Sequence, residues 1–162
     1  MSNAGQVCTA NSRIFVHDSV HDKFVDIFVK RVNAALVGDP FKPETFQGPQ
    51  VTKAQFDRVL SYISAGIKEG ASPVAGAKPL NGPDVISDGY FIEPTVFTGV
   101  RDDMTIAREE IFGPVTAIFS FSSEDEVVRR ANNSEFGLSA ALFTKDSARL
   151  HRVARKLESG SE

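Results

Sequence analysis

The chain has 162 residues, with 18 Lys and Arg against 21 Asp and Glu, giving a formal net charge of −3. At 41% hydrophobic and 24% charged it has the make-up of a folded domain, and 12 Gly with 8 Pro are too few for a collagenous or low-complexity chain. Interspersed acids and bases exclude dedicated nucleic-acid binding, which needs a basic surface to displace phosphate counterions. The single cysteine, Cys8, excludes an intrachain disulfide and any multi-cysteine zinc site. No apolar run approaches the length of a membrane span, and no basic stretch leads into an apolar one at the N-terminus. A cytoplasmic protein is therefore expected, in which the sequon Asn132-Asn133-Ser134 carries no sugar.

Residues 13–17 (Arg-Ile-Phe-Val-His) are short, apolar and β-branched, as suits a buried strand. Ser19 and Asp22 have capping-box spacing, and Phe24, Ile27, Phe28, Val32 and Leu36 then recur at helical intervals. Gly38 to Pro49 holds three prolines and reads as a loop. Thr52 and Gln55 form a second capping box. Phe56, Val59, Leu60, Ile63 and Ile67 make a helical stripe after it, with Gly70 at the stop. Residues 72–90 read as loop with a short strand at 73–75. Phe91 to Phe97 reads as a strand interrupted by Pro94, and Pro114 to Phe121 as a better one. Ser123 and Glu126 cap a short helix through Ala131, and Leu138 to Phe143 reads as a further strand. Asp146 starts a last helix through Leu157, ended by Gly160. The alternation gives an α/β fold, a mainly parallel sheet with flanking helices, as one unit over 1–162.

Two segments could carry chemistry. Cys8 lies in Gly5-Gln6-Val7-Cys8-Thr9-Ala10, whose small polar neighbours do not resemble a core strand. A thiol is a nucleophile as its thiolate, although a lone cysteine is more often a packing residue. His17, His21 and His151 are the candidate partners for a Cys–His pair, and surface roles suit all three. No His/Asp/Glu cluster has metal-ligand spacing, and no GxGxxG or GxxxxGK[ST] loop is present. The second segment is Arg108-Glu109-Glu110-Ile111-Phe112-Gly113-Pro114-Val115, a carboxylate at the mouth of a strand. Ligands bind at strand ends in open α/β sheets. A carboxylate can accept from both hydroxyls of a ribose, and a phenyl ring can pack on a flat heterocycle.

Together the segments are more specific. Asn3-Ala4-Gly5-Gln6-Val7-Cys8 with Ser12-Arg13 resembles the active-site cysteine motif of the aldehyde dehydrogenase superfamily. About a hundred residues later, Glu109-Glu110-Ile111-Phe112-Gly113-Pro114-Val115 is similar to that family's second signature. Gly48-Pro49, Gly89-Tyr90-Phe91-Ile92-Glu93-Pro94-Thr95-Val96, Ala131-Asn132-Asn133-Ser134 and Phe136-Gly137-Leu138 fit the same pattern in order. The resemblance runs from about Asn3 to about Gly160 and implies part of an aldehyde dehydrogenase-like catalytic domain.

It implies an NAD(P)-dependent reaction in which Cys8 attacks an aldehyde to give a thiohemiacetal and then a thioester. Glu110 would hold the nicotinamide-side ribose and Phe112 would pack beside the nicotinamide. Gln55 and Arg58 match positions that approach the cofactor, although Arg58 stands where a lysine is often found. In the family the dinucleotide domain, with the general-base glutamate, precedes the cysteine, so redox turnover and NAD or NADP binding by this chain alone are not expected. The implied partners are an aldehyde or other small carbonyl compound, a second copy, or a full-length relative. Two alternatives have different consequences. One is non-redox carbonyl chemistry at Cys8, such as condensation, cyclisation or thioester transfer. The other is a non-catalytic role as partner of a longer relative.

Overall fold

The computed structural model describes residues 1–82, 85 and 89–160. Residues 83, 84 and 86–88 of the expected 72–90 loop, and the last two residues, lie outside them. Four strands, β1 (Arg13–His17), β2 (Ser72–Ala75), β3 (Thr95–Thr98) and β4 (Val115–Phe121), form one sheet in the order β1-β4-β3-β2. β4 runs parallel to both β1 and β3, while β2 is antiparallel to β3, so the sheet is mainly parallel as the alternation implies.

Side-chain alternation gives the sheet two buried faces. Val16, Val96 and Ile118 point to one face, where Phe24, Val25, Phe28 and Val32 of α1 (Asp18–Asn33) cover them. Phe97, Val115, Ala117 and Phe119 point to the other. There they meet Val59 and Ile63 of α2 (Lys53–Lys68) and Ile106 of α3 (Thr105–Arg108). α4 (Glu124–Asn132) and α5 (Ser147–Ala154) complete the helices.

α2 keeps the boundaries that its sequence implies. Thr52 accepts from the Gln55 N–H at 3.2 Å, and Gly70 (φ +98°) donates to Ile67 O at 3.0 Å to close the C-terminus. Gly66 packs closely within it, since a Cβ there would come within 2.9 Å of the end of the Ile106 side chain, which would have to shift.

Other elements depart from expectation. α1 begins one residue earlier than the Ser19 cap, because β1 runs straight into it and His17 Nδ1 takes the Ser19 N–H at 3.2 Å. The Phe91–Phe97 strand shrinks to β3. Pro94 offers no N–H, and before it Ile92 makes only a single bridge to Pro79. α3 has no sequence signal of helical length; Glu69 takes the Thr105 N–H at 2.7 Å and fixes it from outside. Ser123 caps α4 as expected, but the Glu126 carboxylate takes the N–H of Ser122, at 2.9 Å, instead of that of the cap.

The strand expected at Leu138–Phe143 does not form. A strand needs a neighbour to satisfy its backbone, and among the described residues no strand pairs with this segment. Its flanking Gly137 carbonyl accepts from Gly160 N at 2.8 Å, and Phe143 is 92% exposed. The last helix is also shorter than expected, ending at Ala154.

Candidate functional site

The Cys8 loop is built on strained backbone. Asn3, Ala4 and Gly5 have φ of +50°, +56° and +70° around a short 3₁₀ turn, Ser2–Gly5. Gln6 N donates to Asn3 O at 3.1 Å, and Ala10 N to Val7 O at 2.9 Å. The second bond closes a turn that carries Cys8 and Thr9, so the free thiol is exposed just ahead of β1.

The second segment leaves α3 at Glu109 and enters β4 at Val115. Glu110 is exposed. Phe112, at φ +56°, is strained for a residue with a Cβ and keeps 38% of its surface in solvent. One face of α2 holds this segment. Gln55 Nε2 donates to the carbonyls of Ile111 at 3.1 Å and Phe112 at 2.7 Å. Arg58 Nη2 donates to Glu110 O at 2.9 Å, and the Tyr62 hydroxyl donates to the Glu109 carboxylate at 2.8 Å. Burial, then that bond to Glu109, pushes the Tyr62 hydroxyl above its ordinary pKa. Gln55 and Arg58 thus hold the backbone of the segment that carries Glu110 and Phe112, and Arg58 also donates to the Tyr62 hydroxyl at 3.3 Å.

The two segments also touch each other. A Cβ on Gly5 would lie 2.0 Å from Gly113 O, so only glycine allows this approach. Gln6 Oε1 accepts the Val51 N–H at 3.1 Å, which ties the cysteine loop to the entrance of α2. Asn3, Gln6, Val51, Thr52, Gln55 and Phe112 line a cleft of about 450 Å³. Cys8 and Glu110 are not among its lining residues, and both are exposed.

The histidines are engaged elsewhere. His17 caps α1, His21 Nδ1 lies 3.0 Å from Asp22, and His151 is exposed on α5. Among the described residues no group of three His, Cys, Asp or Glu could hold a metal, and no helix is long and apolar enough to cross a membrane.

The remaining motifs are architectural. Gly89 lies so near Phe91 that a Cβ would clash with its ring, and Thr95 Oγ1 takes Ala77 N–H at 2.9 Å. Asn132 uses its whole side-chain amide on the chain's last turn, donating to Lys156 O at 2.8 Å and accepting from Glu158 N at 3.0 Å. Sequence reasoning missed Gln6, Tyr62 and Glu109. For Tyr62 a signal existed: Gln55, Arg58 and Tyr62 are spaced by three and four, which puts them on one helix face.

Known proteins resemble this chain over nearly its whole length. The sequence model described as "Aldehyde dehydrogenase family" matches residues 1–161. An aldehyde dehydrogenase-like protein of Schizosaccharomyces pombe is 51% identical over 161 residues, covering 99% of this chain and 32% of its own length. Betaine aldehyde dehydrogenase of Brucella anthropi is also 51% identical over 161 residues, covering 98% of this chain and 32% of its own. The crystal structure of betaine aldehyde dehydrogenase from Staphylococcus aureus in complex with NAD⁺ superposes with a TM-score of 0.95 at 40% identity, over 98% of this chain and 31% of that one. The chain therefore spans about a third of the length of these relatives. A match this complete along the chain, on both sequence and fold, establishes that the chain belongs to the aldehyde dehydrogenase family.

Proposed function

We propose that this chain supplies the nucleophile and the nicotinamide-side half of the cofactor site for NAD(P)-dependent oxidation of an aldehyde to a carboxylic acid. The observation that carries this reading is the joint placement of an exposed thiol loop and the Glu110–Phe112 segment around one cleft at the start of α2. Cys8 Sγ, as thiolate, adds to the aldehyde carbon to give a thiohemiacetal, and its own backbone N–H is available as an oxyanion donor. A nicotinamide cofactor, when bound, would supply the hydride acceptor. Glu110 fits a ribose because its carboxylate is exposed and can accept from two adjacent hydroxyls. Phe112 fits the ring because it lines the cleft and is partly exposed. Gln55 and Arg58 serve the cofactor through the backbone that they fix.

The whole protein's turnover draws on elements of the relatives that this third of their length does not cover, so the chain alone is proposed to perform the covalent step without redox turnover. An activated ester isolates that step. With p-nitrophenyl acetate, Cys8 Sγ forms a bond to the acyl carbon, the C–O bond breaks, and p-nitrophenolate leaves with the electron pair. The thiol proton goes to solvent. A burst of one p-nitrophenolate per chain is expected, with the acetyl group on Cys8 by intact-mass and peptide analysis. Cys8→Ala should abolish it. An acetyl group found on another residue, or an undiminished burst in Cys8→Ala, would overturn the assignment.

A further inference from the structure

We infer that Gln6 and Gln55 are positioning residues that lock the Cys8 loop and the Glu110–Phe112 segment to the N-terminal end of the same helix, so that the two sides of the site move as one body. This deepens the reading above and rests on it.

Three contacts carry it. Gln6 Oε1 holds Val51 N–H, one residue before the Thr52 cap of α2. Gln55, in the first turn, holds the carbonyls of Ile111 and Phe112. Gly5 and Gly113 then press backbone on backbone with no room for a side chain. The contacts form a closed triangle: helix turn, cysteine loop, Phe112 segment. Two of its three sides are single side-chain amides.

Backbone strain supports the same conclusion. Left-handed φ in residues with a Cβ persists only where surrounding contacts over-determine it. Asn3, Ala4 and Phe112 carry that strain, and they lie in the two segments that the glutamines hold. The amides act through different atoms. Gln6 works as an acceptor, so Gln6→Glu keeps its bond to Val51 N–H and Gln6→Leu removes it. Gln55 works as a donor, so Gln55→Glu removes both of its bonds and sets a carboxylate against two carbonyls.

The test uses the 162-residue chain and its amide NMR spectrum together with Cys8 acylation by p-nitrophenyl acetate. Gln55→Glu should shift the amides of Gly5, Gln6 and Cys8 as well as those beside the substitution, and Gln6→Leu should shift those of Phe112 and Gly113. Acylation should slow about tenfold in both variants, while alkylation by iodoacetamide, which needs no defined approach of a carbonyl, should stay within about twofold. Gln6→Glu should restore the wild-type acylation rate. Shift changes confined to the neighbours of each substitution, or parallel loss of acylation and alkylation, would overturn the inference. Cross-cleft shifts in the two variants together with no acylation at Cys8 in the wild-type chain would instead overturn the proposed function and leave the mechanical coupling standing.

Discussion

Gly5 and Gly113 lie back to back, with the position of a Gly5 Cβ falling 2.0 Å from the Gly113 carbonyl oxygen. Gly5 also has φ +70°, so any side chain there meets two penalties, a backbone one and a packing one. Gly5→Ala is expected to cost about 2 kcal/mol or more, read as a lower urea midpoint at unchanged slope. A midpoint equal to the wild type would show that the two loops separate easily.

Phe112 presents the opposite case, a large side chain on left-handed backbone at φ +56°. Asparagine tolerates that conformation better than phenylalanine. Phe112→Asn should therefore stabilise the chain by about 1 kcal/mol, measured by denaturant unfolding, while removing the ring proposed to face the cofactor. Loss of stability in that variant would mean that packing of the ring outweighs the strain.

Acid should loosen the region around α4. Hydrogen bonds from Arg152 first, then its charge with those of Lys156 and Arg149, hold Glu124 at about 2 instead of 4.5. The Ser122 N–H first, then the Ser122 hydroxyl and Arg130, hold Glu126 at about 2 as well. A carboxylate lowered on folding stabilises fully above its unfolded value and loses that contribution as pH falls through its folded value. Stability should thus decline from about pH 4.5 toward 2, and Glu126→Gln should make that decline shallower. Urea titrations at several pH values measure the slope directly.

Arg130 ties several parts of the chain together from a partly buried position. Its side chain is 13% exposed, with bonds to Asp102 at 2.8 and 2.9 Å, to Glu126 at 2.9 Å and to Ser120 O at 2.7 Å. Its guanidinium also lies over the Phe15 and Phe119 rings. Arg130→Met should cost about 2 kcal/mol, below the figure for fully buried pairs because Asp102 remains partly solvated. Arg130→Lys should recover only a part, since one ammonium cannot reproduce the planar fork. Thermal unfolding of both variants checks the order.

Much of the fold was legible because local chemistry and tertiary environment agree. The α2 stripe from Phe56 to Ile67, with Thr52 before it and Gly70 after it, needs no outside information. β1 and β4 were legible for the same reason, being short, branched and flanked by turn residues. Leu138–Phe143 has an equally good strand composition and still forms none, because pairing depends on a neighbour and composition does not encode one. α3 shows the reverse, a single helical turn held by the distant Glu69. At the site, residue types pointed to Cys8, Glu110 and Phe112. The functions of Gln6 and Gln55 as ties between loops arise only from distances across the fold.

Leu138–Phe143 has a physical cost in solution. Leu-Ser-Ala-Ala-Leu-Phe carries no charge and no proline, and Leu138 and Phe143 are 53% and 92% exposed. Such a six-residue stretch, outside the sheet in this fold, matches the composition of segments that stack between molecules into cross-β ribbons. Association of the chain at high concentration is accordingly expected to begin at this peptide, and one lysine within it should slow that association without touching the cleft.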